Sequence, residues 1–163
     1  MLVIEQHAPH DAAATERLVL PFEQRCKCRL RTRAESGEDT GLFLERGAVL
    51  HHGDKLTAND GRIVEVIAAP EALMEARAAD PLLLARAAYH LGNRHVAVQL
   101  GAAWLRFAND RVLRDMVAGL GLPVTEITAP FEPESGAMSR NTRSFAKRSQ
   151  AAPSCTATWR FPR

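Results

Sequence analysis

Several things are scarce or missing in this chain, and each absence excludes something. Of its 163 residues, three are cysteines (Cys26, Cys28 and Cys155). An odd number cannot build a disulfide framework within one chain, so a reducing cytoplasm is the expected setting. No apolar run approaches the roughly 20 residues that a membrane helix needs. The opening Met1-Leu2-Val3-Ile4-Glu5-Gln6 turns polar too soon for a signal peptide. Neither a Gly-x-Gly-x-x-Gly nor a Walker A loop is present, which argues against a nucleotide-phosphate cradle. There is no Gly-x-Ser-x-Gly elbow, and no nucleophile–base set can be named from spacing, so an enzyme is not expected. Strong net charge is missing as well: 21 basic against 19 acidic residues give +2, which implies no bias toward nucleic acid or anionic membrane.

That small net charge averages two unlike parts. From Ser139 onward there is no acidic residue but six basic ones: Arg140, Arg143, Lys147, Arg148, Arg160 and Arg163. Without them, 15 basic residues stand against 19 acidic ones, a body of −4 with a tail of +6. The tail is rich in Ser, Thr, Ala and Pro and has neither a period of 2 nor one of 3.6. Residues 138–163 are therefore expected to be a disordered basic tail, unable to bury enough apolar surface to offset its ordering entropy.

The remaining composition, 46% hydrophobic, suffices for a core. Residues 1–70 read as short strands. Leu18-Val19-Leu20 stops at Pro21, and Cys28 to Arg33 alternates with a period near 2. Gly41 to Leu44 is apolar, and Arg62 to Ala69 is β-branched and ends at Pro70. Turn clusters at Ser36–Asp39, His52–Asp54 and Asn59–Gly61 separate them, the spacing of a small β-sandwich or barrel. After Pro70 the pattern changes. Glu71 to Ala79 is rich in helix formers. Asp80-Pro81 starts a helix that carries Leu82, Ala85, Arg86 and Tyr89 at helical spacing and closes at Leu91-Gly92-Asn93. Strands are expected at His95–Leu100 and Ala103–Phe107, with Gly101 in a tight connection. A helix capped by Asn109 or Asp110 follows, with Val112, Leu113, Met116 and Val117 on one face, then a strand at Pro123–Ile127. With the strand near 62–68 placed first, the order is β-α-β-β-α-β. The fold class is thus α+β: a small all-β domain over 1–70, then a ferredoxin-like domain over 71–137 whose first strand begins near 62.

Candidate metal ligands are few. Cys26-x-Cys28 on a strand would turn both thiols to one face as a soft-metal pair, although incidental thiols are the simpler reading. His51-His52 reads as a solvated turn, and His7 and His10 lie in a surface loop. His90 sits in the last helical turn, where imidazole suits the negative end of the dipole. His95 is the most informative, because it projects from a rigid helix-to-strand junction. One histidine is a poor metal site, but a two-fold dimer brings it against its own copy, and imidazole suits divalent nickel, copper or zinc.

The stretch Tyr89-His90-Leu91-Gly92-Asn93-Arg94-His95-Val96-Ala97-Val98-Gln99 resembles the signature of the UreE family of nickel metallochaperones among the urease accessory proteins. Further matches run through Gly41 to Gly47, Leu50, Gly53-Asp54, Asp60-Gly61, Asp110 to Met116, Gly121-Leu122 and Ala129-Pro130-Phe131-Glu132-Pro133-Glu134-Ser135-Gly136-Ala137. They cover nearly all of 1–137. The resemblance implies a peptide-binding β domain followed by a ferredoxin-like domain that binds metal and forms a homodimer, which metal can pair into a tetramer. It implies that Ni(II) is carried as cargo in the cytoplasm, with Zn(II) or Cu(II) accepted in vitro. Delivery would go to the apo-urease complex through the accessory GTPase UreG. The family's interface ligand falls on His95. Two departures bear on capacity. Asn109 and Arg111 stand where some members carry histidine, and residues 139–163 contain no histidine where many members end in a His-rich tail. An auxiliary site and storage of many ions are not expected. The competing reading is a ferredoxin-like peptide- or RNA-binding module with incidental metal affinity. That reading needs exposed aromatics on the sheet, with Trp104 and Phe107 the candidates.

Overall fold

The computed structural model describes residues 1–135; the expected basic tail over 138–163, Cys155 within it, lies outside the described residues. Six strands come first: β1 (Leu2–His7), β2 (Glu16–Leu20), β3 (Arg29–Arg33), β4 (Asp39–Phe43), β5 (Lys55–Ala58) and β6 (Ile63–Ala68), with a single helical turn, α1 (Phe22–Arg25), between β2 and β3. They form one mixed sheet in the order β2-β6-β5-β1-β4-β3. Alternation explains their faces. In β6, Val64, Val66 and Ala68 are buried while Ile63, Glu65 and Ile67 are half-buried, the period of 2 that a pleated strand imposes. Leu2, Ile4, Leu18, Leu20, Leu42, Leu56, Val64 and Val66 meet in one cluster. There are not two stacked sheets, as a sandwich would need. Instead the Glu35 N–H donates to the Arg17 carbonyl at 2.9 Å, which ties the chain just after β3 back to β2. The sheet curls toward the barrel alternative.

The second sheet contains β7 (Pro70–Arg77), β8 (Gln99–Leu100), β9 (Trp104–Ala108) and β10 (Val124–Pro130), ordered β10-β7-β9-β8. Helices α2 (Pro81–Gly92) and α3 (Arg111–Gly119) link the strands. Numbered within this unit, the order is 4-1-3-2 with β-α-β-β-α-β connectivity, the ferredoxin-like arrangement. The fold class is α+β, with an N-terminal β-rich domain and a C-terminal α+β domain.

Two elements differ from expectation. The helix formers at 71–79 make a strand, and the 62–68 strand belongs to the first sheet, where it pairs with β2 and β5. Helix propensity is a weak prior that tertiary pairing overrides. Here β7 is central, in register with β10 over Val124↔Ala76 to Pro130↔Pro70 and with β9 over Leu73↔Ala108 to Arg77↔Trp104. The second difference is at 95–100, where only Gln99 and Leu100 are strand and the preceding residues are loop.

The capping signals hold. The Asp80 carboxylate accepts from the Leu82 N–H (2.9 Å) with Pro81 in the first turn, and Asp110 accepts from the Leu113 N–H (3.0 Å). Each cap is worth about 1 kcal/mol. Gly101 is required for packing: a Cβ there would lie 2.1 Å from the Trp104 indole. The core face of α2 is Leu83, Leu84, Ala87, Ala88 and Leu91. The expected stripe lies on the other side, with Leu82 58% and Tyr89 66% exposed. Likewise, Leu113, Met116 and Val117 of α3 pack inward while Val112 is exposed.

Candidate functional site

Helix α2 ends in a specific way. The Val96 N–H donates back to the Leu91 carbonyl (3.1 Å) and the His95 N–H to the Gly92 carbonyl (2.9 Å). These are the paired bonds of a Schellman ending, which requires a left-handed residue, usually glycine. Here that residue is His95, with φ 56°, the one non-glycine at positive φ among the described residues. Val96 packs into the same cluster as Leu91, the apolar contact that accompanies this ending. The His95 side chain is exposed. An L residue in this conformation is strained by about 1 kcal/mol and persists where neighbouring bonds over-determine it.

Large apolar side chains are exposed on α2 and on the edge strand that follows, among polar ones: His90, Asn93 and Arg94 are exposed beside His95. Residues 82, 85, 86 and 89 share the outward face of α2, and Leu100 is 50% exposed on the edge strand beyond the loop. The outward face of α2 is therefore mixed, with exposed Leu82 and Tyr89 beside Arg86 and His90. Exposed large apolar side chains are what an interaction surface presents.

The other sequence candidates scatter. His7 ends β1 and His10 lies in a turn, both exposed. His90 stands in the last turn of α2 with its ring edge-on to Tyr89. Cys26 caps α1 and Cys28 precedes β3, so they do not share a strand face; burial pushes the Cys26 thiol up, away from the thiolate that metal binding needs. Among the described residues, no three His, Cys, Asp or Glu side chains gather as a metal cage.

The histidine pair at 51–52 is not a solvated turn. The His51 Nδ1 lies 3.3 Å from Glu132 Oε2, and the His52 N–H donates to Glu132 Oε1 at 3.2 Å. Glu132 also accepts from the Arg25 guanidinium. Arg25 is fully buried and donates further to the carbonyls of Leu20 (3.3 Å), Leu50 (3.0 Å) and Phe131. All of this joins the β domain to the segment after β10. Phe131 is set edge-on to Phe22 at 5.4 Å, and the Phe22 N–H donates to Glu71 (2.7 Å). Hydrogen bonding to Glu132 raises the His51 pKa, against the opposing effect of burial. For Glu132, burial pushes its carboxyl up, but His51, Arg25 and the His52 N–H outweigh it and the net shift is down. This cluster was missed because its members lie 81 and 107 positions apart.

The aromatic candidates for RNA stacking are both engaged. Phe107 is fully buried. Trp104 is half-buried beneath the Arg106 guanidinium, 4.2 Å from its ring, and Arg106 is itself bound to Glu75 at 2.7 Å.

Residues 3–69 match the family described as UreE urease accessory protein, N-terminal domain, and residues 71–152 its C-terminal domain. Similar proteins named urease accessory protein UreE include that of Nitrosococcus oceani, 49% identical over 84% of this chain and 82% of the relative. That of Dechloromonas aromatica is 51% identical over 84% of this chain and 80% of the relative. A third, from Pseudomonas fluorescens, is 51% identical over 84% and 83%.

Proposed function

The chain belongs to the UreE family of urease accessory proteins, and from that premise we propose that it is a nickel-binding metallochaperone delivering Ni(II) to apo-urease. His95 is the principal ligand. It acts as one of a pair across the two-fold axis of a homodimer, and metal can draw dimers into a tetramer. The carrying observation is His95 itself: an exposed imidazole held in a strained left-handed conformation, at the end of a helix whose outward face exposes Leu82 and Tyr89. A second copy covering that face brings the two imidazoles together. Water completes a shallow site of this kind, which lets cargo go as well as hold it.

The imidazole must be neutral to bind, so affinity falls on acidification. Zn(II) and Cu(II) compete in vitro, because imidazole suits all three ions. The chemistry is carriage and transfer without a catalysed covalent step, in the cytoplasm, with the accessory GTPase UreG as the receiving partner. Among the described residues no helix is long and apolar enough to cross a membrane.

Isothermal titration of Ni(II) into the wild type and His95→Ala tests the assignment. The expected result is loss of the tight site in the variant, and equal affinity and stoichiometry in both would sink it. The RNA-module alternative predicts salt-sensitive RNA binding by the full chain.

A further inference from the structure

Residues 131–134 make contacts that metal carriage does not account for. The loop between α2 and β8 is anchored at two ends. On the helix side the anchors are the Leu91 and Gly92 carbonyls. On the strand side β8 is two residues long and pairs with β9 only at Gln99↔Arg106 and Leu100↔Leu105. The remaining anchors come from the segment after β10: the Glu132 N–H donates to Gln99 Oε1 (3.2 Å) and the Glu134 N–H to the Val98 carbonyl (2.8 Å). That segment is itself held from the far side, by Arg25, His51 and the His52 N–H on the Glu132 carboxylate.

We propose that Glu132 is a positioning residue for the metal loop: gripped by the β domain through its side chain, it holds segment 131–134 against Val98 and Gln99 and so keeps His95 in its left-handed presentation. This rests on the reading of His95 as the nickel ligand. The physical basis is that a strained residue keeps its conformation only where the surrounding structure over-determines it. The strand-side bonds to Val98 and Gln99 add to the helix-side bonds and to the packing of Val96 and Val98. Freeing the strand-side flank lets His95 relax toward ordinary backbone angles and swing its imidazole off the axis. The β domain thereby bears on the cargo without touching it, and a partner that pulls the β domain away from Glu132 loosens the metal.

Two variants of the full chain cut the connection at different places. Gln99→Ala removes the acceptor on the loop side and leaves the buried Arg25 pair intact. Glu132→Gln removes the charge that the β domain grips while keeping a hydrogen-bonding side chain. In metal-free protein, backbone amide exchange at His95 and Val96, followed by NMR, is expected to quicken about threefold to tenfold in each variant. Ni(II) affinity is expected to fall by a similar factor in each, and that fall should vanish when His95→Ala is added. Wild-type exchange at His95 and Val96 in either variant overturns the proposal, whatever happens to Tm. So does an affinity loss that persists without His95. If the wild type and His95→Ala bind nickel alike, the assignment of the ligand fails instead, and the exchange rates still decide whether the segment positions the loop.

Discussion

His95 occupies a position that helix geometry assigns to glycine. Replacing it with Gly is therefore expected to raise stability by about 0.5–1 kcal/mol while weakening nickel binding, a combination that denaturant melts and titration calorimetry read together. A lowered Tm would mean that the side chain is held by contacts rather than tolerated at a strained site. His51 gives a pH signature. Its pKa is raised by Glu132, so the pair's contribution is fully present below the ordinary imidazole pKa and disappears as pH rises through the higher folded value. Glu132, its pKa lowered, contributes above the ordinary carboxylate pKa and loses that contribution as pH falls through the lower folded value. Between the two, stability is greatest. In His51→Phe the loss on the alkaline side should flatten in thermal melts recorded across pH; an unchanged profile would remove His51 from the account. At this scale the sequence was legible where chemistry is local. His95 stood out by its junction and by its motif, but its positive φ had no sequence signal, because histidine rather than glycine sits there. His51 looked like a solvated turn because its partner is 81 positions away.

The helices were readable from their ends: Asp80-Pro81 and Asp110 cap as their chemistry predicts, since a carboxylate reaches the free N–H groups of the first turn. The strand β7 was not. Its Glu, Ala, Leu and Met letters favour helix in isolation, and what makes them a strand is the ladder on either side, which no window of nearby residues contains. The α2 stripe is a subtler case. The spacing of Leu82, Ala85, Arg86 and Tyr89 correctly predicts a helix, yet periodicity alone does not say which face meets the core, and it is Leu83, Leu84, Ala87, Ala88 and Leu91 that do. The exposed Leu82 and Tyr89 carry a prediction that belongs with the proposed dimer. Tyr89→Glu places a charge on the outward face without touching the core side, so light scattering should show the proposed dimer shifting toward monomer, with nickel affinity falling in parallel. A dimer unchanged in mass would move the interface elsewhere.

Across the whole molecule, the two sheets are joined by a buried cation. Arg25 has one carboxylate partner, Glu132, and three carbonyls. Removing one member of a buried pair strands the other and costs about 3–5 kcal/mol. Arg25→Met is thus expected to lower stability by that order in urea melts, whereas exposed pairs such as Arg33–Asp39 contribute little when cut. A loss under 1 kcal/mol for Arg25→Met would mean that water reaches the seam freely. Alternation and turn clusters foretold the first domain, and element order the second. The seam between them was invisible, because α1 is too short to show a period and Glu132 lies far along the chain.

The span of that seam also sets an order of events in biosynthesis. Arg25 leaves the ribosome 107 residues ahead of the carboxylate that will neutralise it. Until then its guanidinium has the Leu20 and Leu50 carbonyls and water for company, and Phe22 lacks the ring it packs against. The β domain must therefore mature with a wet, unfinished edge that closes only when nearly all of the second, α+β domain has been made. A nascent chain cut short before residue 131 would expose that edge, a built-in mark by which incomplete copies differ from finished ones.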